Sequence, residues 1–268
     1  MEIGILSDEI ALDFSEAIHY GASWGVYLYE VRCMPSGRVP YISEDEVQEI
    51  LRCKREQNIM ITAISPGMFK IPLKDRESLE REIEHTLPDS FRMAEQLGTN
   101  KVIVFGFQHY EGEPDSDYQQ VIDILGKVAM MAEKGGFLIA LENEPGFWAD
   151  TGANTAKILS AINSKHLKAN WDPGNVVGTG EVPYPDGYNA IKPYICNTHA
   201  KDSPVNSLVE CVPIGEGMVD WEGQLRALVQ DDIVSHITIE THCLPLAEQS
   251  RKNVERVRAM LDAIQHGG

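Results

Sequence analysis

Eight short, β-branched runs alternate with longer stretches of helical period from one end of the chain to the other, and this alternation restricts the fold more than any other feature. The runs are Ile3–Leu6, Val26–Val31, Ile59–Ile64, Lys101–Phe105, Phe137–Leu141, Leu167–Trp171, Tyr194–Thr198 and Ile237–Ile239. Several are almost wholly apolar, as in Ile59-Met60-Ile61-Thr62-Ala63-Ile64, the pattern of parallel strands covered on both faces. Phe14 to Tyr20 reads as a helix stopped by Gly21, and Ser43 with Glu46 forms a capping-box signature opening a helix toward Gln57. Further helices are expected at Asp75 to Leu97, at Tyr118 to Lys134 and, capped by Thr151 or Asn154, up to Ile162. Trp221 to Val229 and Leu246 to Ile264 complete the set. Residues 174–193, rich in Pro and Gly, read as a loop with one or two helical turns at most. Eight such units of about 33 residues each predict an α/β fold, a single (β/α)8 TIM barrel over residues 1–268. A doubly wound open sheet is the competitor, but no GxGxxG follows the first run.

Charge and composition narrow the partners. With 23 Lys and Arg against 41 Asp and Glu the net charge is −18, and no basic cluster offsets it, so nucleic acid is not an expected partner. No apolar run reaches the roughly 18 residues of a membrane span, and the first residues carry no basic segment of a secretory signal. The five cysteines lack CxxC spacing, which suits free thiols in a reducing compartment; a cytoplasmic location is the expectation.

In a parallel barrel the chemistry sits at the carboxyl ends of strands. Here the fifth run ends in Glu142, the sixth in Asp172, the seventh in His199 and the eighth in Glu240. Spacings of 30, 27 and 41 residues place each on a different unit. Three carboxylates converging on one point repel one another unless protons or a cation join them. A divalent ion held by Glu142, Asp172, His199 and Glu240 resolves the repulsion, and an oxygen-rich set suits Mn²⁺ first, with Mg²⁺, Co²⁺ or Zn²⁺ as alternatives. The plainer reading is that polar residues cap the barrel rim.

At these residues the chain resembles the sugar phosphate isomerase/epimerase superfamily of xylose isomerase-like barrels. The similar stretches are Ser7-Asp8-Glu9, Tyr29-Glu30-Val31-Arg32, Ala140-Leu141-Glu142-Asn143-Glu144-Pro145 and Asn170-Trp171-Asp172-Pro173-Gly174-Asn175. His199-Ala200-Lys201-Asp202, Gly215 to Trp221 and Ile239-Glu240-Thr241-His242 follow in order. The resemblance implies metal ligation by Glu142, Asp172, His199 and Glu240, with Glu142 and Glu240 also moving the substrate proton. Asn175 stands where the family often has histidine, and no arginine follows His199 before Val212.

Lys201, Asn175, His242 and Glu144 are the substrate-binding candidates, each with a structural alternative. Lys201 polarises a carbonyl or pairs with Asp202; His242 meets substrate or is an exposed loop residue; Glu144 holds Lys201 or a hydroxyl, or shapes its loop. Glu30 and Arg32 share a strand face and could pair or reach substrate. Trp148, Trp171 and Trp221 either stack on a sugar or, for Trp171, face the helices. Gly215-Glu216-Gly217 does not follow a strand and is not read as a phosphate cradle.

The expected function is a metal-dependent isomerase or epimerase acting on a small sugar or polyol-derived ketone or aldehyde through an enediolate. Loss of a β-hydroxyl from the same intermediate would make it a dehydratase of the inosose dehydratase type. A metal-dependent endonuclease and a non-catalytic sugar binder rank lower, the first because of the charge, the second because a ligand set has no evident use in a binder. Lys201 reads as the only cation near the late-strand rim, so an uncharged, unphosphorylated substrate is expected, with Arg32 and Arg38 as the reservation. Assembly into a homo-oligomer is left open.

Overall fold

The eight runs become eight parallel strands closed into a barrel in the computed structural model, which describes residues 1–204 and 210–266. They are β1 (Glu2–Leu6), β2 (Leu28–Val31), β3 (Met60–Ile64), β4 (Lys101–Val104), β5 (Leu138–Glu142), β6 (Leu167–Trp171), β7 (Ile195–Ala200) and β8 (His236–Ile239). Neighbours in sequence pair in space, and β8 closes on β1 with Ile3 opposite Ile237 and Ile5 opposite Ile239. The fold is a TIM barrel.

Helices fill the connections: α1 (Phe14–Ser23), α2 (Glu44–Gln57), α3 (Arg76–Arg81), α4 (Leu87–Leu97), α5 (Asp115–Gly135), α6 (Gly152–Ile162), α7 (Tyr188–Ile191), α8 (Trp221–Asp231) and α9 (Leu246–His266). Ser43 and Glu46 make the reciprocal capping box that opens α2, and Thr151 rather than Asn154 caps α6 by accepting from the Asn154 amide. Large apolar side chains between barrel and helices form the main core, among them Ile5, Phe14, Tyr29, Trp171 and Trp221. Inside the barrel a small layer of Ala63, Ile103 and Ala140, backed by Cys196, leaves the rest of the lumen to polar groups. None of the described helices is long and apolar enough to cross a membrane.

Three local expectations are corrected. Gly21 does not stop α1 but lies within it, because a Cβ there would stand 2.0 Å from Tyr29 Oη on β2. Residues 174–193 hold more helix than a loop: turns at Gly174–Val176 and Pro183–Gly187, then α7, then a turn at Lys192–Tyr194. Pro183 and Pro193 fall in the first positions of their turns, where a missing N–H leaves no bond unmade. A two-residue hairpin after β2, with Cys33 opposite Arg38, was not anticipated, and it carries Arg38 to the carboxyl end of the barrel.

Candidate active and metal site

Glu142 ends β5, Asp172 follows β6, His199 lies near the end of β7 and Glu240 follows β8, as their placement in sequence predicts. One ligand atom from each lies within 4.8 Å of the other three, and all four side chains are buried. His199 Nδ1 is 3.7 Å from Glu142 Oε2 and 3.5 Å from Glu240 Oε2, and it makes no hydrogen bond. Its other nitrogen, Nε2, lies 2.8 Å from Glu30 Oε2 on β2. An ionised carboxylate only accepts, so Nε2 carries the hydrogen and Nδ1 is the atom left facing the cluster. Burial alone would raise the Glu30 carboxyl, but the His199 charge, the hydrogen bonds of His199 and Asn197, and Lys101 bring it down to about 2. Burial opposes a charge on His199, yet Glu30 and Glu142 hold its pKa well above the ordinary imidazole value.

Asp172 is fixed by backbone. Its Oδ1 accepts from the Gly174 and Asn175 amides, while the Asn143 side chain clamps its main chain on both sides. Asp172 Oδ2 is left without a hydrogen bond, although the Lys201 ammonium lies 2.9 Å away off the bonding direction. Burial and the nearby Glu240 and Glu142 raise the Asp172 carboxyl to about 6 despite Lys201. Gly174 is required there, since a Cβ would stand 2.5 Å from the Lys201 carbonyl oxygen. His199 Nδ1, buried and without a hydrogen bond, and Asp172 Oδ2, held only by its ion pair with Lys201, stand beside two further carboxylates. One nitrogen and three carboxylates are the donor set of a small divalent cation, and the residues fit one.

Glu240 is crowded by cations. Arg32 Nη1 donates to its Oε1 at 2.7 Å, Lys201 Nζ to its Oε2 at 3.0 Å, and His242 Nε2 lies 3.2 Å from Oε1. Burial would raise its pKa, but Lys201, His242 and His199 hold it well below the usual carboxylate range. Arg32 also binds Asp8 and Glu9 at the end of β1, so one guanidinium gathers three carboxylates. Glu142 Oε2 accepts from the Asn170 amide at 3.0 Å, and Asn170 in turn receives Asn197, which binds Glu30 and Lys101.

Several roles differ from expectation. Lys201 pairs with Asp172 and Glu240 and not with Asp202, whose carboxylate is saturated by the amides of Ser203, Gly215, Gly217 and Val219. The Gly215 and Gly217 amides are thus engaged by Asp202. His242 is exposed on its loop, as the plainer reading has it, but paired: it bridges Glu9 and Glu240, and although burial of its ring opposes the charge, Glu240 and Glu9 lift its pKa to about 9. Glu144 holds Lys70 rather than Lys201, at 3.0 Å, and takes a 3.4 Å contact from Asn175 Nδ2. Glu30 and Arg32 do not pair with each other. Trp171 and Trp221 are buried against the helices, with Trp171 Nε1 donating to Gln224 on α8, and Trp148 stacks on His109. The aromatic residue in the cavity wall is Phe105. Lys201 is not alone at the rim either, since Arg32, Arg38, Lys70 and His242 line the same cavity of about 450 Å³.

The supporting polar groups had a signal in the sequence that single strand-end residues did not exploit. Asn170, Asn197 and Thr238 each stand two residues before Asp172, His199 or Glu240, hence on the same face of their strand. Lys70 had no such signal, because it sits on a loop whose path is set by packing.

Across residues 18–263 the chain matches the family model described as xylose isomerase-like TIM barrel. Solved structures of the same fold include the IolI protein with a bound zinc atom, at TM-score 0.80, 16% identity and 98% coverage of each chain. An L-ribulose 3-epimerase matches at TM-score 0.76 and 16% identity over 100% of this chain and 97% of that one. The probable 3-DHS dehydratase AsbF from Bacillus anthracis matches at TM-score 0.78 and 16% identity over 96% of this chain and 99% of that one. At such identities the likeness is one of fold, and no curated protein matches the chain in sequence. With one family model spanning most of its length, the chain belongs to the xylose isomerase-like TIM barrel family.

Proposed function

We propose that the protein is a divalent-metal-dependent isomerase or epimerase of a small polyhydroxy ketone or aldehyde, with Glu142, Asp172, His199 and Glu240 as ligands. The observation that carries this reading is the convergence of four buried ligand atoms within 4.8 Å of one another, with His199 Nδ1 making no hydrogen bond and facing Glu142 and Glu240. When bound, the divalent ion, Mn²⁺ before the others, supplies positive charge that polarises the substrate carbonyl and lowers the barrier to loss of the α-proton. Glu142 and Glu240 come from non-adjacent strands, so a substrate held between them presents a different side to each. One carboxylate removes the α-proton, giving an enediolate, and the other, or a water, returns a proton. Arg32 keeps Glu240 in place, and Asn170 does the same for Glu142. Lys201 and Asn175, both in the cavity wall, are placed to donate to substrate oxygens.

Dehydration is the second reading, favoured by His242, whose ring lines the cavity; its Nε2 would donate to a departing hydroxyl on exchanging Glu240 for it. Incubating the Mn²⁺-loaded protein with ketoses, inososes and hydroxypyruvate in deuterium oxide tests both. Deuterium uptake next to the carbonyl is the expected result, with water loss marking the lyase. Glu142→Gln and Glu240→Gln should each slow exchange by at least about 10²–10⁴-fold, the usual share of general acid–base catalysis. Near-normal exchange in either variant at equal metal occupancy removes that residue from proton transfer.

A further inference from the structure

We infer that Arg38 forms a carboxylate-binding subsite in the same cavity, so that the substrate is a polyhydroxy carbonyl compound carrying one carboxylate. The inference rests on the proposed function for the cavity but not on its metal. The other cations in the cavity wall are all neutralised: Arg32 by three carboxylates, Lys201 and His242 by two each, and Lys70 by Glu144. Among the described residues Arg38 faces no carboxylate within ion-pair distance; its contacts are to Ser65, Nε donating to the carbonyl at 2.9 Å and Nη2 to Oγ at 3.2 Å.

The guanidinium is seated, not loose. It lies against Gly67, where a Cβ would stand 2.7 Å from Arg38 Cζ. Gly67 also has φ +76°, a conformation that glycine adopts without strain. Among the described residues two of the five guanidinium N–H groups are engaged and the rest remain available, in the planar fork that matches a carboxylate. Burial and the neighbouring Arg32 press the Arg38 pKa down, and the more distant Asp8 and Glu142 offset this only in part. A single unpaired guanidinium balances one negative charge. A phosphate dianion would leave a charge uncompensated beside Asp8, Glu142 and Glu144, which line the same cavity.

The test is calorimetric titration with gluconate, its neutral amide gluconamide, and glucose 6-phosphate, on the full chain with EDTA so that no metal chelates the acid. Gluconate should bind about tenfold or more tightly than gluconamide, the scale of one charge-assisted pair. Arg38→Met should erase this preference. Arg38→Lys, which keeps the charge and guards against a folding defect in the first variant, should lose most of it because the fork is gone. Equal binding of acid and amide overturns the inference, as does a preference that survives in Arg38→Met or an Arg38-dependent preference for the phosphate ester over gluconate. Failure of deuterium exchange with every ketone would sink the proposed function and leave the gluconate preference standing, so the two failures are distinguishable.

Discussion

Glu30, on β2, holds Nε2 of His199, as the proposed ligation through Nδ1 would require. Thr238 and Asn197 fix Glu30 in turn through its Oε1. Glu30→Gln keeps the shape but removes the charge, and should weaken Mn²⁺ binding by about 10–100-fold, as such supporting carboxylates do elsewhere. Calorimetry on the folded variant checks it, and an unchanged affinity would show that His199 is not the ligand proposed. His236, at the start of β8 and far along its strand from Glu240, gives a pH prediction independent of the metal. Burial and the Lys101 charge bring its pKa down from 6.5 to about 4. Between those values the unfolded chain binds more protons than the folded one, so this residue's contribution is intact above pH 6.5 and is lost as pH falls toward 4. Relative to wild type, His236→Gln should gain about 1–2 kcal/mol at pH 5 over its difference at pH 7.5, read from urea midpoints. A pH-independent difference between the two proteins would refute the assignment. The clustering of Glu142, Asp172, His199 and Glu240 was legible because each ends a strand and strand ends share a rim. His242 and Glu144 were visible but their partners were not, since Glu9 and Lys70 arrive from 233 and 74 residues away. Such pairings depend on loop paths and on no local pattern.

Elements were legible wherever their signals are local. The apolar runs, the Ser43 capping box and the terminal glycines Gly98 and Gly136, both in the left-handed region at the ends of α4 and α5, follow from chemistry within one turn. Gly21 was misread because a packing glycine and a stopping glycine look alike until the partner strand is known. The hairpin at Cys33 and Arg38 is too short for any period to show. Gly21 lets α1 approach β2 until Tyr29 Oη, which donates to the Val26 carbonyl, occupies the place of a side chain. In an open helix Gly→Ala would stabilise by about 1 kcal/mol. Here Gly21→Ala should instead destabilise by about 1–3 kcal/mol through overpacking, seen as a lower Tm. Gly21→Ala with Tyr29→Phe should recover part of the loss, because the nearest atom is then gone. A single variant as stable as the wild type would show that α1 can lift from β2 without cost.

At the scale of the whole molecule, the proposed ligands tie four consecutive strands, β5 to β8, into one centre, so an ion bound there braces half of the barrel. The chain carries −18 overall, and Glu142, Asp172 and Glu240 concentrate negative charge at one end. Arg32, Lys201 and His242 already offset part of it, through ion pairs that need no metal. Metal removal should therefore lower stability without unfolding the barrel. An ion at about 100 times its dissociation constant stabilises the folded state by about 2.7 kcal/mol. For a chain of this size each kcal/mol moves Tm by about 2–4 °C, so saturating Mn²⁺ should raise Tm by about 5–10 °C over the EDTA-treated protein. Far-UV circular dichroism should be the same in both states below the transition. General screening of a −18 chain by added salt would also raise Tm, which makes Asp172→Asn the necessary control. Asparagine keeps an oxygen for the Gly174 and Asn175 amides but loses the charge at Oδ2, so the fold is preserved while the ion is held weakly. The Mn²⁺ shift should shrink to the salt effect in that variant. An equal shift in both proteins would mean that the ion acts on the surface charge, and that the four strand ends do not bind it.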